Sequence, residues 1–238
     1  MKAVLFPLAL VLASSPALAN VDCPAYVEPE VTITPIFGKP VFVYSVPMRQ
    51  LKAMSVSADV PEAVRASRQS AQSRVGGLTE QRPVVSSEIV TQLYTLPNRE
   101  SCAQIKKVNL TLAVKEIRVY IAREFPPGSC SHAKVVEHEM KHVGMMAGYL
   151  HNFPPVAMRH VRTFLDRIGM VRVPNDPNGE QAQRILSKEM SAYSSRFTAE
   201  LTTAFHIMSE RVDTPEEYRH VSESCMGETQ RIFNASAN

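Results

Sequence analysis

The chain has 238 residues, 45% of them hydrophobic, with 26 basic and 23 acidic side chains, enough to bury one substantial core. A formal charge of +3 is far from the strongly basic face of a nucleic-acid binder, so no nucleic-acid partner is expected. Beyond the N-terminus no stretch reaches the roughly 20 apolar residues of a membrane helix, so no membrane span is expected either.

The opening, MKAVLFPLALVLASSPALAN, joins Lys2 to an apolar run over residues 3–13 and a small-x-small motif, Ala17-Leu18-Ala19. This is the pattern of a signal peptide over residues 1–19, cleaved near Ala19. The mature chain, 20–238, is expected to be a single exported domain, periplasmic or secreted. Its oligomeric state is not legible.

Residues 27–125 read as strands. VTIT at 31–34 and PVFVYSV at 40–46 come first, followed by an excursion over 55–83 that is rich in Ser, Ala, Arg and Gln and contains Gly76-Gly77. That excursion reads as a surface segment. After IVTQLYTL at 89–96, Val108, Leu110, Leu112 and Val114 alternate with smaller or polar residues, and Ile117, Val119 and Ile121 repeat the alternation. The period of two predicts half-buried strands, read as a hairpin turning near Lys115.

Residues 131–225 read as helices. The first spans about 132–151 and is stopped by NFPP; the second covers about 156–168. After the turn PNDPNG a long helix runs from about 180 to 212, with an apolar stripe of Leu186, Tyr193, Phe197, Leu201, Ala204 and Met208. DTPEEY begins a last short helix, with Thr214 as cap, Pro215 at the first position and Glu217 closing a capping box. The fold class is therefore α+β, a mixed or antiparallel sheet packed on helices.

Four cysteines, Cys23, Cys102, Cys130 and Cys225, predict two disulfides in an oxidising compartment. Of the three pairings, Cys102 with Cys130 across the expected hairpin and Cys23 with Cys225 across the chain ends are favoured. Their wide spacing speaks against a four-cysteine zinc site.

The stretch VVEHEMKHVGMM, residues 135–146, carries the chemistry. At 100° per residue His138 and His142 lie about 40° apart, one turn from each other, so both imidazoles can reach one ion. Val136, Met140, Val143, Ala147 and Leu150 form a separate stripe for the core, with Glu139 at the boundary between the faces. Two imidazoles, a third ligand and a water complete a catalytic Zn²⁺ site, and a carboxylate beside the first histidine is placed to act as general base.

From Cys102 through this helix the sequence resembles the bacterial predicted secreted zinc-dependent proteases, a branch of the zincin metallopeptidases, over residues 102 to about 225. The resemblance implies His138 and His142 as zinc ligands, Glu139 as the catalytic base, a zincin-like domain and a peptide or protein substrate. That substrate would lie along a sheet edge, taken to be the strand near 117–123. It departs from the family at Lys141, where zincin helices generally keep an uncharged residue, and at VDTPEEYRHV.

The third ligand stays open. The metzincin spacing would require a histidine at Gly148 and is excluded; a glutamate on a later helix is compatible. Glu189 and Glu200 project from the long helix and Glu217 lies in DTPEEY; Glu200 and Glu217 rank equally. His132, His151, His160, His206 and His220 read as surface residues. Tyr149 and Tyr218 could steady a developing oxyanion. Alternatives to a peptidase are an envelope interaction module with a structural metal or none, and an amidase acting on cell-wall peptides.

Overall fold

A computed structural model describes residues 22–55 and 75–236. The expected signal peptide and most of the 55–83 excursion lie outside the described residues. Within them one five-stranded sheet is covered by six helices. The elements are β1 (Glu30–Phe37), β2 (Pro40–Val43), α1 (Met48–Ser55), β3 (Gly77–Thr95) and β4 (Ser101–Ile121). There follow α2 (Cys130–Asn152), α3 (Pro154–Ile168), β5 (Val171–Val173), α4 (Glu180–Ser209), α5 (Pro215–Glu223) and α6 (Glu228–Ala235).

The sheet is organised around β4. Along one side it pairs antiparallel with the whole of β3; along the other it takes β5 antiparallel, then β1 and β2 parallel. The expected hairpin at Lys115 is not there. The turn lies instead at residues 96–100, where Leu96 N donates to Glu100 O at 2.8 Å and Arg99 adopts a left-handed φ of 64°. At Lys115 the register of β3 on β4 slips between Gln81 and Pro83, so Lys115 and Glu116 together face Arg82. A bulge of this kind moves the inward set from Val108–Val114 to Ile117–Ile121 without reversing the chain. Residues 117–121 are consequently interior, paired with β2 and β3. Among the described residues β3 forms one edge of the sheet and β5, β1 and β2 form the other; β3 also begins well inside the expected surface excursion.

Continuity of β4 also decides the disulfides. Cys102 lies at the start of β4 and Cys130 beyond its far end, and a rise of ~3.3 Å per residue separates them by tens of ångströms, far beyond a bridge. The favoured pairing is replaced by Cys23–Cys102 and Cys130–Cys225. The second ties the first residue of α2 to the turn after α5 and closes a sequence separation of 95. A loop of that length stabilises chiefly by restricting the unfolded chain, typically by 2–4 kcal/mol. The Cys130→Ser/Cys225→Ser double variant is therefore expected to lose about 2–4 kcal/mol in chemical denaturation, and an unchanged midpoint would mean that the bridge constrains nothing.

The apolar face of the sheet, with Leu110, Leu112, Ile117 and Ile121 all fully buried, packs on Met146 and Leu150 of α2 and Leu186, Met190 and Leu201 of α4 in one core. The long-helix stripe forms as expected through Leu201, then continues through Phe205, leaving Ala204 and Met208 half-buried. On α2 the buried face is rotated from the expected one. Val135, Glu139, His142, Val143, Met146 and Leu150 are inside, whereas Val136, Met140 and Ala147 are only half-buried. The histidine face is thus contiguous with the core face.

Candidate metal centre

Helix α2 starts where Ser129 caps it, its side chain accepting from His132 N at 3.1 Å. The next turns place His138, Glu139 and His142 inside, exposed by 7%, 3% and 7%. The two imidazoles lie edge to face with ring centroids 5.1 Å apart, as their spacing of four predicts.

The third group is Asp213, which the sequence reading did not weigh. It sits in the corner between α4 and α5, a tight turn in which Asp213 N donates to Ser209 O at 3.0 Å. Asp213 Oδ1 stands 3.4 Å from His138 Nε2 and 3.2 Å from His142 Nε2. One donor atom from each of the three residues lies within 4.8 Å of the others, so the group could hold a metal ion. Its signal in the sequence was slight: an acidic residue immediately before the Thr214-Pro215 helix start.

Of the two glutamates ranked as third ligand, Glu200 is exposed on α4 and is not among the gathered donors. Glu217 does reach the site, on the outer side. Thr214 caps α5 as expected, accepting from Glu217 N at 3.2 Å. The Glu217 carboxylate, however, turns to α2, with Oε1 3.3 Å from His138 Nδ1 and 2.6 Å from Lys141 Nζ. A carboxylate on Nδ1 fixes the tautomer that leaves Nε2 as the free donor. Lys141 is the counter-charge of this outer carboxylate. Glu217→Gln, which keeps the helix cap because that bond uses backbone N–H, is expected to weaken metal binding about 10- to 100-fold. Competition against a chromophoric chelator would show it, and equal affinity would reduce Glu217 to a capping residue.

The electrostatics agree with the geometry. Burial disfavours the His138 cation, yet its bond to Asp213, the charges of Glu139 and Asp213 and its bond to Glu217 outweigh burial and raise it to about 9. Asp213 feels a burial penalty too, overcome by its bonds to both histidines, and is held well below the usual carboxylate range. Glu139 goes the other way: burial pushes its carboxyl up against the opposing pull of His138, His142 and Thr79.

Glu139 is held from β3. Thr79 Oγ1 donates to Glu139 Oε2 at 2.7 Å, and Gly77 passes so close that a Cβ there would lie 2.5 Å from Glu139 Oε1. Gly77 is thus a steric requirement of the carboxylate's position. The centre opens into a cavity of ≈ 330 Å³ bordered by β3, α2, α5 and α6. Tyr218 borders it with its ring 5.8 Å from that of His138. Tyr149 instead stacks on Phe153 and meets Phe205 edge-on. His151, His160 and His220 are exposed, and His132 and His206 half-buried.

Comparison with protein-family models, with curated proteins and with solved structures found no match. The site's chemistry therefore stands on the residues themselves.

Proposed function

We propose that the protein is an exported zinc-dependent peptidase in which His138, His142 and Asp213 hold the metal and Glu139 is the general base. The observation that carries this reading is the convergence of two imidazole nitrogens and one carboxylate oxygen within 4.8 Å beside a buried glutamate. Two nitrogens and one oxygen are donors suited to zinc, and three protein ligands are the number that leaves a catalytic position open. Glu217 does not supply a fourth, because it approaches His138 from the Nδ1 side. A structural site would be closed by four protein ligands, which favours the peptidase over the envelope-module reading. Two disulfides, and the lack of any helix long and apolar enough to cross a membrane among the described residues, fit an extracellular or periplasmic location.

A zinc ion in this position supplies Lewis acidity and lowers the pKa of bound water to roughly 7. The remaining work falls to the chain's own groups. Glu139, kept from solvent and oriented by Thr79, accepts the proton of the attacking water and returns it to the amine nitrogen as the amide C–N bond breaks. Glu217 and Lys141 hold the His138 ring in place.

The substrate backbone has a template at β3. Gly76 O accepts from Ala122 N at 2.9 Å, on the β4 side, and Val85 N donates away from β4 to Thr198 Oγ1 at 2.9 Å. By the alternation of the ladder, Gly77, Thr79 and Gln81 direct their N–H and C=O groups away from β4, to an edge that no strand among the described residues covers. An extended peptide can add there as a further strand, directly over Glu139. A cell-wall amidase would share the metal chemistry and differ in substrate; a strand edge that is unpaired among the described residues favours a peptide.

Metal analysis and a hydrolysis assay test the reading together. Purified protein should carry stoichiometric zinc and cleave an unfolded protein substrate, lose that activity to a chelator and regain it with zinc. Failure to take up zinc under any condition would end the proposal.

A further inference from the structure

We propose that the cavity beside the metal centre is a subsite for one bulky apolar side chain of the peptide, and that Phe233 on the C-terminal helix sets this preference. The inference rests on the peptidase reading and adds the substrate class.

On one side the cavity is bounded by the polar groups of the metal centre, His138, Glu139, His142 and Asp213. Beside them the wall has an apolar patch, made by Leu78 of β3, Val135 of α2, Val221 of α5 and Phe233 of α6, with Val75 at one margin; Ser55, Ser209, Glu210 and Tyr218 complete the rim. Val135, Val221 and Phe233 are themselves buried, at 2%, 7% and 7% exposure, so the cavity reaches into the core rather than lying on the surface. Its volume of ≈ 330 Å³ stands at the small end of ligand sites, which run from roughly 300 to 1,000 Å³. That is room for a large side chain next to the reacting amide.

Two adjacent glycines fix where this apolar wall begins. A Cβ on Gly77 would strike the Glu139 carboxylate, and one on Gly76 would lie 3.2 Å from the Phe233 ring. Consecutive Cα atoms are about 3.8 Å apart, so the aromatic wall starts one residue from the general base. A peptide paired along residues 77–81 therefore places a side chain flanking its scissile bond against Phe233. Neither glycine has a side chain to fill that space.

The wall is firmly held although it comes from the last helix of the chain. The Cys130–Cys225 bridge joins the turn before α6 to the start of α2, and Ser131 Oγ donates to Glu228 in the first turn of α6. The Phe233 ring meets Phe125 edge to face at 5.5 Å. A preorganised apolar pocket repays burial of a large side chain with the transfer free energy of its apolar surface, about 10- to 100-fold in affinity.

The test compares two peptide hydroxamates, identical except that one carries a benzyl side chain where the other carries only hydrogen. Their dissociation constants are measured on zinc-loaded wild type, Phe233→Ala and Leu78→Phe. The last variant narrows the cavity from a half-buried position and keeps the test open should Phe233→Ala not fold. The benzyl compound is expected to bind wild type about 10- to 100-fold more tightly, and the ratio to fall to about threefold or less in either variant. A wild-type ratio near one, or a ratio that both variants leave unchanged, overturns the subsite. If the protein takes up no zinc, the metal reading fails separately. The cavity is then probed in the metal-free protein with toluene by ligand-observed NMR: binding lost in both variants supports the subsite, and no binding to wild type overturns it.

Discussion

Glu139→Gln is expected to lower peptide hydrolysis by about 10²- to 10⁴-fold, the range that a positioned general base contributes, while leaving zinc content unchanged. Glutamine has the shape of glutamate and its carbonyl can still accept from Thr79, whose hydroxyl lies 2.7 Å from Glu139 Oε2. It cannot take a proton. Stability should move the opposite way or not at all. Burial raises the Glu139 carboxyl, meaning that the fold disfavours its charged form, and a neutral amide removes that cost at neutral pH. A variant that is inactive, zinc-replete and at least as heat-stable as wild type in its metal-free form separates a chemical role from a structural one. Activity within a fewfold of wild type would remove Glu139 from the mechanism.

What the sequence made legible follows from distance along the chain. His138, Glu139 and His142 share one helix, and helical geometry alone sets their relation, so their convergence could be read from spacing. Asp213 lies 71 residues beyond His142 in a turn, where neither period speaks. Attention to helical faces led instead to Glu200, which is solvated, and to Glu217, which supports His138 from outside. The same limit governed the sheet. A slip in alternation between Val114 and Ile117 is produced equally by a turn and by a bulge, and only the partner strand distinguishes them; the real turn, with Pro97 and Asn98, carried the better local signal. The disulfide pairing was misjudged as a direct result, since it assumed that the strand folded back. Gly76-Gly77 falls in the stretch that reads as a surface segment, whereas its cause is the close approach of Phe125, Phe233 and Glu139 to the backbone. Helix α6, short and with Phe233 as its one large buried side chain, gave no periodic stripe to detect.

Asp213→Ala should have the largest effect on metal binding, weakening zinc by more than the roughly 10- to 100-fold typical of an outer-sphere residue, whereas Glu200→Ala should leave it unchanged. The contrast separates the carboxylate that the fold delivers from the one that spacing suggested. Its loss also has a pH signature in the metal-free protein. His138 is raised to about 9 from an ordinary 6.5, so its interaction with Asp213 stabilises the fold in full below about 6.5 and fades as pH rises through about 9. Asp213 is depressed, so the same interaction is present above the ordinary aspartate value of about 3.9 and is lost as pH falls through its lowered folded value. The gap in Tm between metal-free wild type and Asp213→Ala should therefore be widest between about pH 4 and 6.5 and close toward pH 9 and above. Because zinc ligation requires the free Nε2 of His138, zinc uptake must also displace the proton held there, and uptake by wild type should release protons below about pH 9 and not well above it. A gap independent of pH, together with zinc affinity equal to wild type, would remove Asp213 from the centre and leave two histidines without a third ligand.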